Sequence, residues 1–325
     1  MKLFRHVLNK TYLLVLVLFC LGLGLVTGTP AWAQVPGEPA PSTEKGTPAP
    51  VAAEKTAAEE DKPTASVSFD ILSQYIWRGI ALSRRSAVIQ PSVTLGYKGF
   101  SLNVWGNLDT GEDNRFLYPS PGKRGLKWNE TDFTFGYSRD LYTGKIIKAL
   151  SANVGVIYYA LDSTANPQGD SFELYWGLGL DVNWFKLAVT VNKEMLHYPG
   201  WWLTIGISRV FELPWKIQNN SNLSLEVGHN FLFLFSEDAA AYPNPNRANL
   251  TTPFSGPLAG QLYATLNIPV YKYVTLAPKV GFWYAAGGNA TDLLGNGGAK
   301  QYMTGLSWDQ QHNHVYGGLN LTFAF

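Results

Sequence analysis

Charged side chains recur from about residue 66 onward, at positions where polar and apolar residues alternate. Charged groups on one shared face can pair with each other, or can line a water-filled passage and set its preference for ions. Eleven such residues fall on the polar face of the alternation: Asp70, Arg78, Asp109, Glu130, Asp132, Glu173, Asp181, Lys186, Glu194, Glu226 and Lys279. Eight are acids and three are bases. An open passage would therefore favour cations weakly, whereas mutual pairing would plug a narrow one.

Histidine is the other residue type that could do chemistry at neutral pH. After the N-terminal segment the chain has four: His197, His229, His312 and His314. A hydrolase would need one of them within reach of a nucleophile and oriented by a third group, and no lipase or omptin motif surrounds them. His312 and His314 would share one face of a strand, which suits a metal, but two ligands fall short of a structural site. We therefore predict no enzyme activity, no cofactor and no metal.

The alternation itself predicts the β-strands that must position these side chains. The first, residues 66–78, would turn Phe69, Tyr75 and Trp77 outward and carry Arg78 to the rim, near Glu130 and Asp132. The others are predicted at 87–97, 100–109, 129–138, 150–161, 171–182, 185–194, 201–210, 222–231, 258–268, 274–284 and 314–325. An even total of about twelve predicts an all-β, antiparallel transmembrane barrel, or ten strands if two weak segments are loops.

Loop lengths predict how the barrel sits in its membrane. Short turns fall at Lys98, Asn183 and Pro269, and long polar loops lie at the opposite ends of the strands. This asymmetry predicts periplasmic termini and external loops, one of which is the Gly-rich run 287–298. Aromatic residues near strand ends are predicted to form the interface girdles: Tyr75, Trp77, Trp184, Trp201, Trp202, Tyr271 and Tyr273.

The last strand predicts how the barrel closes. Val315, Leu319, Leu321 and Phe323 share one face, and the strand runs to Phe325. An apolar edge left open would pair with other chains, and closure onto the first strand removes that edge. The ending also resembles the C-terminal signature of bacterial outer-membrane proteins, whose last strand alternates and finishes in Phe.

The N-terminal residues predict export. A basic start precedes an apolar run at 12–26 and a small-x-small cleavage site at Ala31-Trp32-Ala33, the order found in a signal peptide, here residues 1–33. Residues 34–64, rich in Pro, Ala and Glu, are predicted to form a disordered periplasmic linker, a spacer or an arm for a partner. Cys20, the single cysteine, lies in the apolar run, so the mature chain would contain none. The barrel would then span 65–325.

Charge and composition indicate the surroundings. Removing the three basic residues before the apolar run leaves 22 basic and 24 acidic residues, a formal charge of −2, which excludes nucleic acid as a partner. Aromatic residues at 14% and charged residues at 15% suit a membrane barrel. Predicted partners are outer-membrane lipid, small solutes or ions, and lipopolysaccharide. The last would contact basic loop residues, namely Arg84, Arg85, Lys123, Arg124 and Lys127.

One region resembles a known family. The stretch Ser73 to Ile80, S-Q-Y-I-W-R-G-I, followed by Gln90-Pro91-Ser92 and Val104-Trp105-Gly106, resembles the TorF-type porins, bacterial exported proteins whose first strand carries S-x-Y-x-x-R-G. Glu130 to Tyr137 is similar to that family's acidic strand ending in G-Y. The resemblance is strongest over residues 69–137. It implies an outer-membrane porin and supplies no catalytic residue.

Three functions remain open at this point. The first is a passive outer-membrane channel for small solutes or ions with a weak cation preference. The second is a non-conducting structural or adhesin-like barrel, in which the inward charges pair. The third is a membrane-embedded hydrolase that uses one of the four histidines.

Overall fold

The computed structural model describes residues 62–83, 86–111, 126–161, 169–216, 222–245, 250–295 and 311–325. The predicted signal peptide and residues 34–61 of the predicted linker lie outside the described residues. So do four of the five basic loop residues predicted to contact lipopolysaccharide, with Lys127 as the exception.

Twelve strands close into one antiparallel barrel in which neighbours in the chain are neighbours in the wall. They are β1 (Thr64–Leu72), β4 (Val88–Tyr97), β5 (Phe100–Asp109), β6 (Lys127–Thr143), β7 (Ile147–Leu161), β8 (Ser171–Val182), β9 (Phe185–Glu194), β10 (Gly200–Lys216), β11 (Asn222–Ser236), β12 (Ser255–Tyr271), β13 (Val274–Ala285) and β14 (His314–Ala324). Two short strands, β2 (Ile76–Trp77) and β3 (Ile80–Ala81), pair separately. The helix α1 (Gly288–Gly295) precedes β14. The predicted all-β barrel is confirmed, with twelve strands rather than ten.

The last strand closes the barrel as predicted. Strand β14 pairs with β1 from Ser66 opposite Ala324 to Leu72 opposite Gly318. Beyond the paired strands, the Phe325 amide donates to the Ala65 carbonyl at 2.8 Å, and the Ala65 amide donates back at 3.1 Å. The strand β1 begins at Thr64, the last residue of the predicted linker.

The outer face of the wall is apolar. Phe69, Leu95 and Leu102 are 40%, 50% and 44% exposed, and they belong to a belt that continues around the barrel. In water such a surface would drive association, whereas in a bilayer it is the surface that lipid contacts. Aromatic residues border the belt near the ends of the wall strands, namely Tyr97, Trp184, Trp215, Tyr271 and Tyr273. Among the residues that the structure describes, no helix combines the length and apolarity needed to cross a membrane.

The two ends of the barrel differ. Tight turns at 98–99, 183–184 and 272–273 lie at the end where β1 begins and β14 finishes, and we call this the turn end. The third turn falls at 272–273 because β12 continues through Pro269 to Tyr271. We call the opposite end, which carries the longer connections, the loop end.

Glycines in the wall accommodate tyrosine rings from the next strand. In four register pairs, a Cβ added to the glycine would lie 2.2–2.5 Å from the Cζ atom of the tyrosine ring. The pairs are Gly155–Tyr175, Gly228–Tyr263, Gly260–Tyr284 and Gly281–Tyr316. Each ring therefore lies flat across the wall and covers a backbone that the glycine leaves bare.

We expect Gly281→Ala to destabilise the barrel by about 1–3 kcal/mol, the usual cost of an overpacked site. The new methyl would displace the Tyr316 ring, whose hydroxyl accepts a hydrogen bond from Gln261 Nε2 at 2.8 Å. The measurement is the temperature at which the folded, fast-migrating band disappears in gel electrophoresis. Gly317→Ala is the matched control, since a Cβ there would meet its nearest atom at 3.6 Å. Equal transition temperatures for the two variants would contradict the role of the ring.

Candidate functional site: the barrel lumen

The chain turns into the barrel where the first strand was predicted to continue. The wall strand β1 ends at Leu72, and Ser73 still bonds to β14 through its amide and the Gly317 carbonyl at 2.8 Å. Beyond it, the Tyr75 carbonyl accepts hydrogen bonds from the amides of Leu82 and Ser83 at 2.8 and 3.1 Å. Residues 75–83 thus form a closed loop, which we call the lumen hairpin.

The tip of the lumen hairpin is a two-residue turn. Arg78 and Gly79 have φ angles of 50° and 85°, and they connect Trp77 to its register partner Ile80. Two consecutive positive φ angles are the mark of a type I′ turn, which matches the twist of the paired strands. Gly79 is also required for space, because a Cβ there would lie 2.8 Å from the Cβ of Ala259 on β12.

The predicted outward positions of Tyr75 and Trp77 and the rim position of Arg78 are wrong. Tyr75 is 2% exposed and its ring lies 5.7 Å from that of Trp105 on β5. Trp77 packs edge-on against Trp202 of β10 at 5.3 Å, and Trp202, also predicted for the girdle, is 1% exposed. In a continuous wall strand with Tyr75 and Trp77 outward, Leu72 and Ile76 would face inward. Inward positions of the wall are otherwise mostly polar. That break in the pattern was the only local signal of the change.

Arg78 reaches across the lumen to Glu173 on β8. Its two terminal nitrogens, Nη1 and Nη2, donate to the Glu173 oxygens Oε1 and Oε2 at 2.7 and 2.9 Å. Tyr159 and Asn192 donate to Oε2 at 2.8 and 2.7 Å. The guanidinium carbon lies 4.7 Å from the ring centre of Trp77 and 4.6 Å from that of Trp202. A bidentate pair with further donors is the arrangement that best offsets the cost of removing the two charges from water.

The other loop-end acids are also held in place. The Tyr75 hydroxyl donates to Glu130 Oε2 at 3.0 Å, and the Ser171 hydroxyl donates to Glu194 Oε1 at 2.7 Å. Glu194 further accepts the backbone amides of residues 196, 197 and 198 at 2.8–3.1 Å. Asp132 and Asp109 are buried beside them, at 2% and 1% exposed. Glu130 therefore holds the lumen hairpin, Glu194 holds the connection between β9 and β10, and all four carboxylates are buried.

An apolar cluster also occupies the loop end of the lumen. It joins the lumen hairpin, the β11–β12 connection and α1, and we call it the apolar plug: Ile76, Ile80, Trp202, Leu232, Leu234, Tyr242, Phe254, Leu258, Leu293 and Leu294. Burial raises the pKa of the Tyr242 hydroxyl well above its ordinary value, so this ring stays neutral. The prediction of a plain external loop at 287–298 is wrong, because α1 packs Leu293 and Leu294 into the plug.

The turn end of the lumen is polar and more accessible. Asp181, Lys186 and Glu226 are half-buried on its wall. Tyr263 donates to Glu226 Oε1 at 3.1 Å. Nearer mid-height, Lys279 Nζ lies 2.5 Å from Asp70 Oδ1, and Asn320 donates to Asp70 Oδ2 at 2.9 Å. The lumen is thus a polar vestibule at the turn end and an apolar plug at the loop end.

All ten candidate residues other than Arg78 lie on the inward face of their strands, as the alternation predicts. Among the candidates, Arg78 forms an ion pair with Glu173, and Lys279 forms one with Asp70. The partners Tyr159, Asn192 and Trp202 were missed by sequence reasoning. The first two could have been found as polar residues on the inward face of otherwise apolar strands.

For two of the four histidines, the structure shows contacts that do not belong to a hydrolase site. His197 Nδ1 contacts the Asp170 carbonyl oxygen at 2.5 Å, and His229 Nε2 contacts the Tyr284 hydroxyl at 2.7 Å on the outer face. Neither contact involves a serine. Within the described ranges, no three or more His, Cys, Asp or Glu side chains cluster as metal ligands. The absence of enzyme activity stays a prediction.

The closed wall, apolar outside and polar at its turn end, defines a transmembrane β-barrel of the kind found in bacterial outer membranes. Residues 56–235 match a family of bacterial proteins of unknown function, Gcw_chp, and the chain belongs to that family. No curated protein matches the sequence.

Solved barrels resemble this one at low identity. The NanC porin is 11% identical over 80% of this chain and 98% of its own, with a TM-score of 0.45. Outer membrane phospholipase A of Escherichia coli is 14% identical over 81% and 97%, with a TM-score of 0.37. OprB of Pseudomonas putida is 10% identical over 76% of this chain and 61% of its own, with a TM-score of 0.32. At such identities and TM-scores, these likenesses give no information about function.

Proposed function

We propose that this chain is an outer-membrane channel for the passive diffusion of small solutes and ions, of the TorF-type porin kind, with periplasmic termini. The lumen hairpin and the apolar plug close its loop end in the present state. The observation that carries the proposal is the polar vestibule. A barrel built only as a scaffold has no need of half-buried Asp181, Lys186 and Glu226 on its inner wall.

The charges of the vestibule support a weak cation preference. Lys279 and Asp70 neutralise each other. Of the charged candidates, this leaves Asp181 and Glu226 against Lys186, an excess of one acid. Because charged rings act on ions over about 10 Å at ordinary salt, an excess of one charge gives a modest preference.

Swelling of protein-loaded liposomes tests the channel function directly. We expect glycerol and other small neutral solutes to enter faster than in protein-free liposomes, at a rate limited by the closed loop end. Bilayer recordings under a salt gradient should give a reversal potential of the sign expected for cation preference. The sign should reverse in the double variant Asp181→Asn/Glu226→Gln, because Lys186 then remains without an opposing acid among these candidates. Absence of swelling and current, both in this protein and in the variants with a released hairpin described below, would overturn the proposal.

The apolar plug favours a second candidate, a non-conducting structural or adhesin-like barrel. In that case the plug would be permanent and the variants with a released hairpin would stay silent. The outer belt would contact lipid in both cases. Contact with lipopolysaccharide stays a prediction, since most of the basic residues proposed for it lie outside the described residues.

A further inference from the structure

A recess in the wall of the vestibule has the features of a binding site. With the open space at its mouth it measures about 220 Å3, and its lining residues are Lys186, Ala188, Gly206, Ile207, Ser208, Asn230 and Tyr263. Three adjacent strands build it: Lys186 is the register partner of Ser208, and Gly206 is the register partner of both Ala188 and Asn230. The small side chains of Ala188 and Gly206 leave the space that the polar residues surround.

Ser208 points to a missing partner. The residue is 6% exposed, yet its hydroxyl has no hydrogen-bond partner among the described residues. Buried hydroxyls are almost always bonded, so an unbonded one on the wall of a recess is available to a group bound there.

Lys186 supplies the charge beside it. Its register partner on the other side is Asp181, but no ion pair joins the two, and no ion pair or hydrogen bond engages Lys186 elsewhere in the described residues. The acid nearest on the other flank, Glu226, already accepts from Tyr263 at 3.1 Å. An ammonium group with three donors and a free hydroxyl therefore face the same small space.

We propose that the recess binds the carboxylate group of a small solute through Lys186 and Ser208. This inference rests on the proposed channel function and names a class of solute for it. Lys186 offers charge-assisted donors and Ser208 a hydroxyl donor, the pair of groups that a carboxylate accepts from. The recess is shallow and open to the vestibule, so the carboxylate would lie at its mouth and the rest of the solute would remain in the vestibule.

Saturation-transfer NMR on the refolded full-length protein in detergent tests the site with lactate, and with glycerol as the uncharged probe of similar size. We expect saturable lactate binding and no saturable glycerol binding. Lys186→Gln should weaken lactate binding about tenfold or more, and Ser208→Ala about threefold. Lys148→Gln, the same change on an exposed residue outside the lumen, should have no effect.

Two results would overturn the site: no saturable lactate binding, or equal affinities in the original protein and Lys186→Gln. Both results are independent of whether the protein conducts, because lactate binding is measured in detergent and not across a membrane. If lactate binds but liposomes swell in no solute, with this protein or with the released-hairpin variants, the channel function is contradicted and the binding site is not. Normal glycerol swelling in Lys186→Gln would show that the variant still forms the barrel.

Discussion

Replacing Arg78 with alanine should open the loop end of the barrel. The change removes the cation that Arg78 supplies to Glu173, a carboxylate that is 1% exposed. Breaking a buried ion pair in this way costs about 3–5 kcal/mol, and this cost is lowered when the lumen hairpin moves away and water reaches the carboxylate. A cost of that size shifts the opening equilibrium on the order of a hundredfold or more. Glycerol swelling of liposomes should rise severalfold.

Two controls separate opening from unfolding. Arg139→Ala removes an arginine that is exposed at the turn end, and it should leave swelling unchanged. Arg78→Lys should restore closure only in part, because an ammonium group cannot make the bidentate contact. Tryptophan emission should shift to the red in Arg78→Ala as Trp77 and Trp202 meet water, while the folded band persists in electrophoresis. An unchanged emission and swelling rate would show that the hairpin is not held by this pair.

Gly79→Ala should release the same hairpin by a different route. An L-residue at a φ of 85° costs about 1–2 kcal/mol. The new methyl would also meet Ala259 Cβ at 2.8 Å and Leu294 Cδ1 at 3.3 Å. Ala259 has no flexible end that can move aside, so overpacking adds about 1–3 kcal/mol. Swelling should again rise, with the Arg78–Glu173 pair chemically intact.

Gly288→Ala is the matched control, because a Cβ at that position meets nothing within 4 Å. It lies at the start of α1, close to the same end of the barrel, and should behave as the original protein does. If Arg78→Ala conducts and Gly79→Ala does not, the ion pair alone would hold the hairpin and its fit against β12 would be unimportant. Silence in both variants would favour the non-conducting barrel.

The motif that prompted the family resemblance has a structural explanation in the lumen hairpin. Ser73 accepts the Gly317 amide through its hydroxyl at 3.1 Å, where the chain leaves the wall. Tyr75 donates to Glu130, Arg78 binds Glu173, and Gly79 makes the turn. In the S-x-Y-x-x-R-G motif, the serine therefore lies where the chain leaves the wall, the tyrosine anchors the lumen hairpin, and the Arg-Gly pair forms its tip. The motif does not form a continuous wall strand.

The sequence by itself determined the wall of this barrel. In a wall one strand thick, each side chain points either to lipid or to the lumen. A two-residue alternation in the sequence is therefore enough to predict where the strands lie and that Asp70 and Glu173 face inward. It also predicts that β14 closes onto β1. Turn residues such as Lys98-Gly99 then placed the short connections at one end. These features depend on neighbours in the sequence or on simple pairing.

Only the tertiary structure decided what fills the lumen. Tyr75 and Trp77 alternate as a wall strand would, and local periodicity cannot tell that their segment turns inward. That choice depends on Glu173, which is 95 residues away from Arg78 in the chain, and on Trp202 and Ala259 on β10 and β12. Contacts at such separations exist only once the wall has closed. The open or plugged state of the lumen is therefore a property of the assembled barrel.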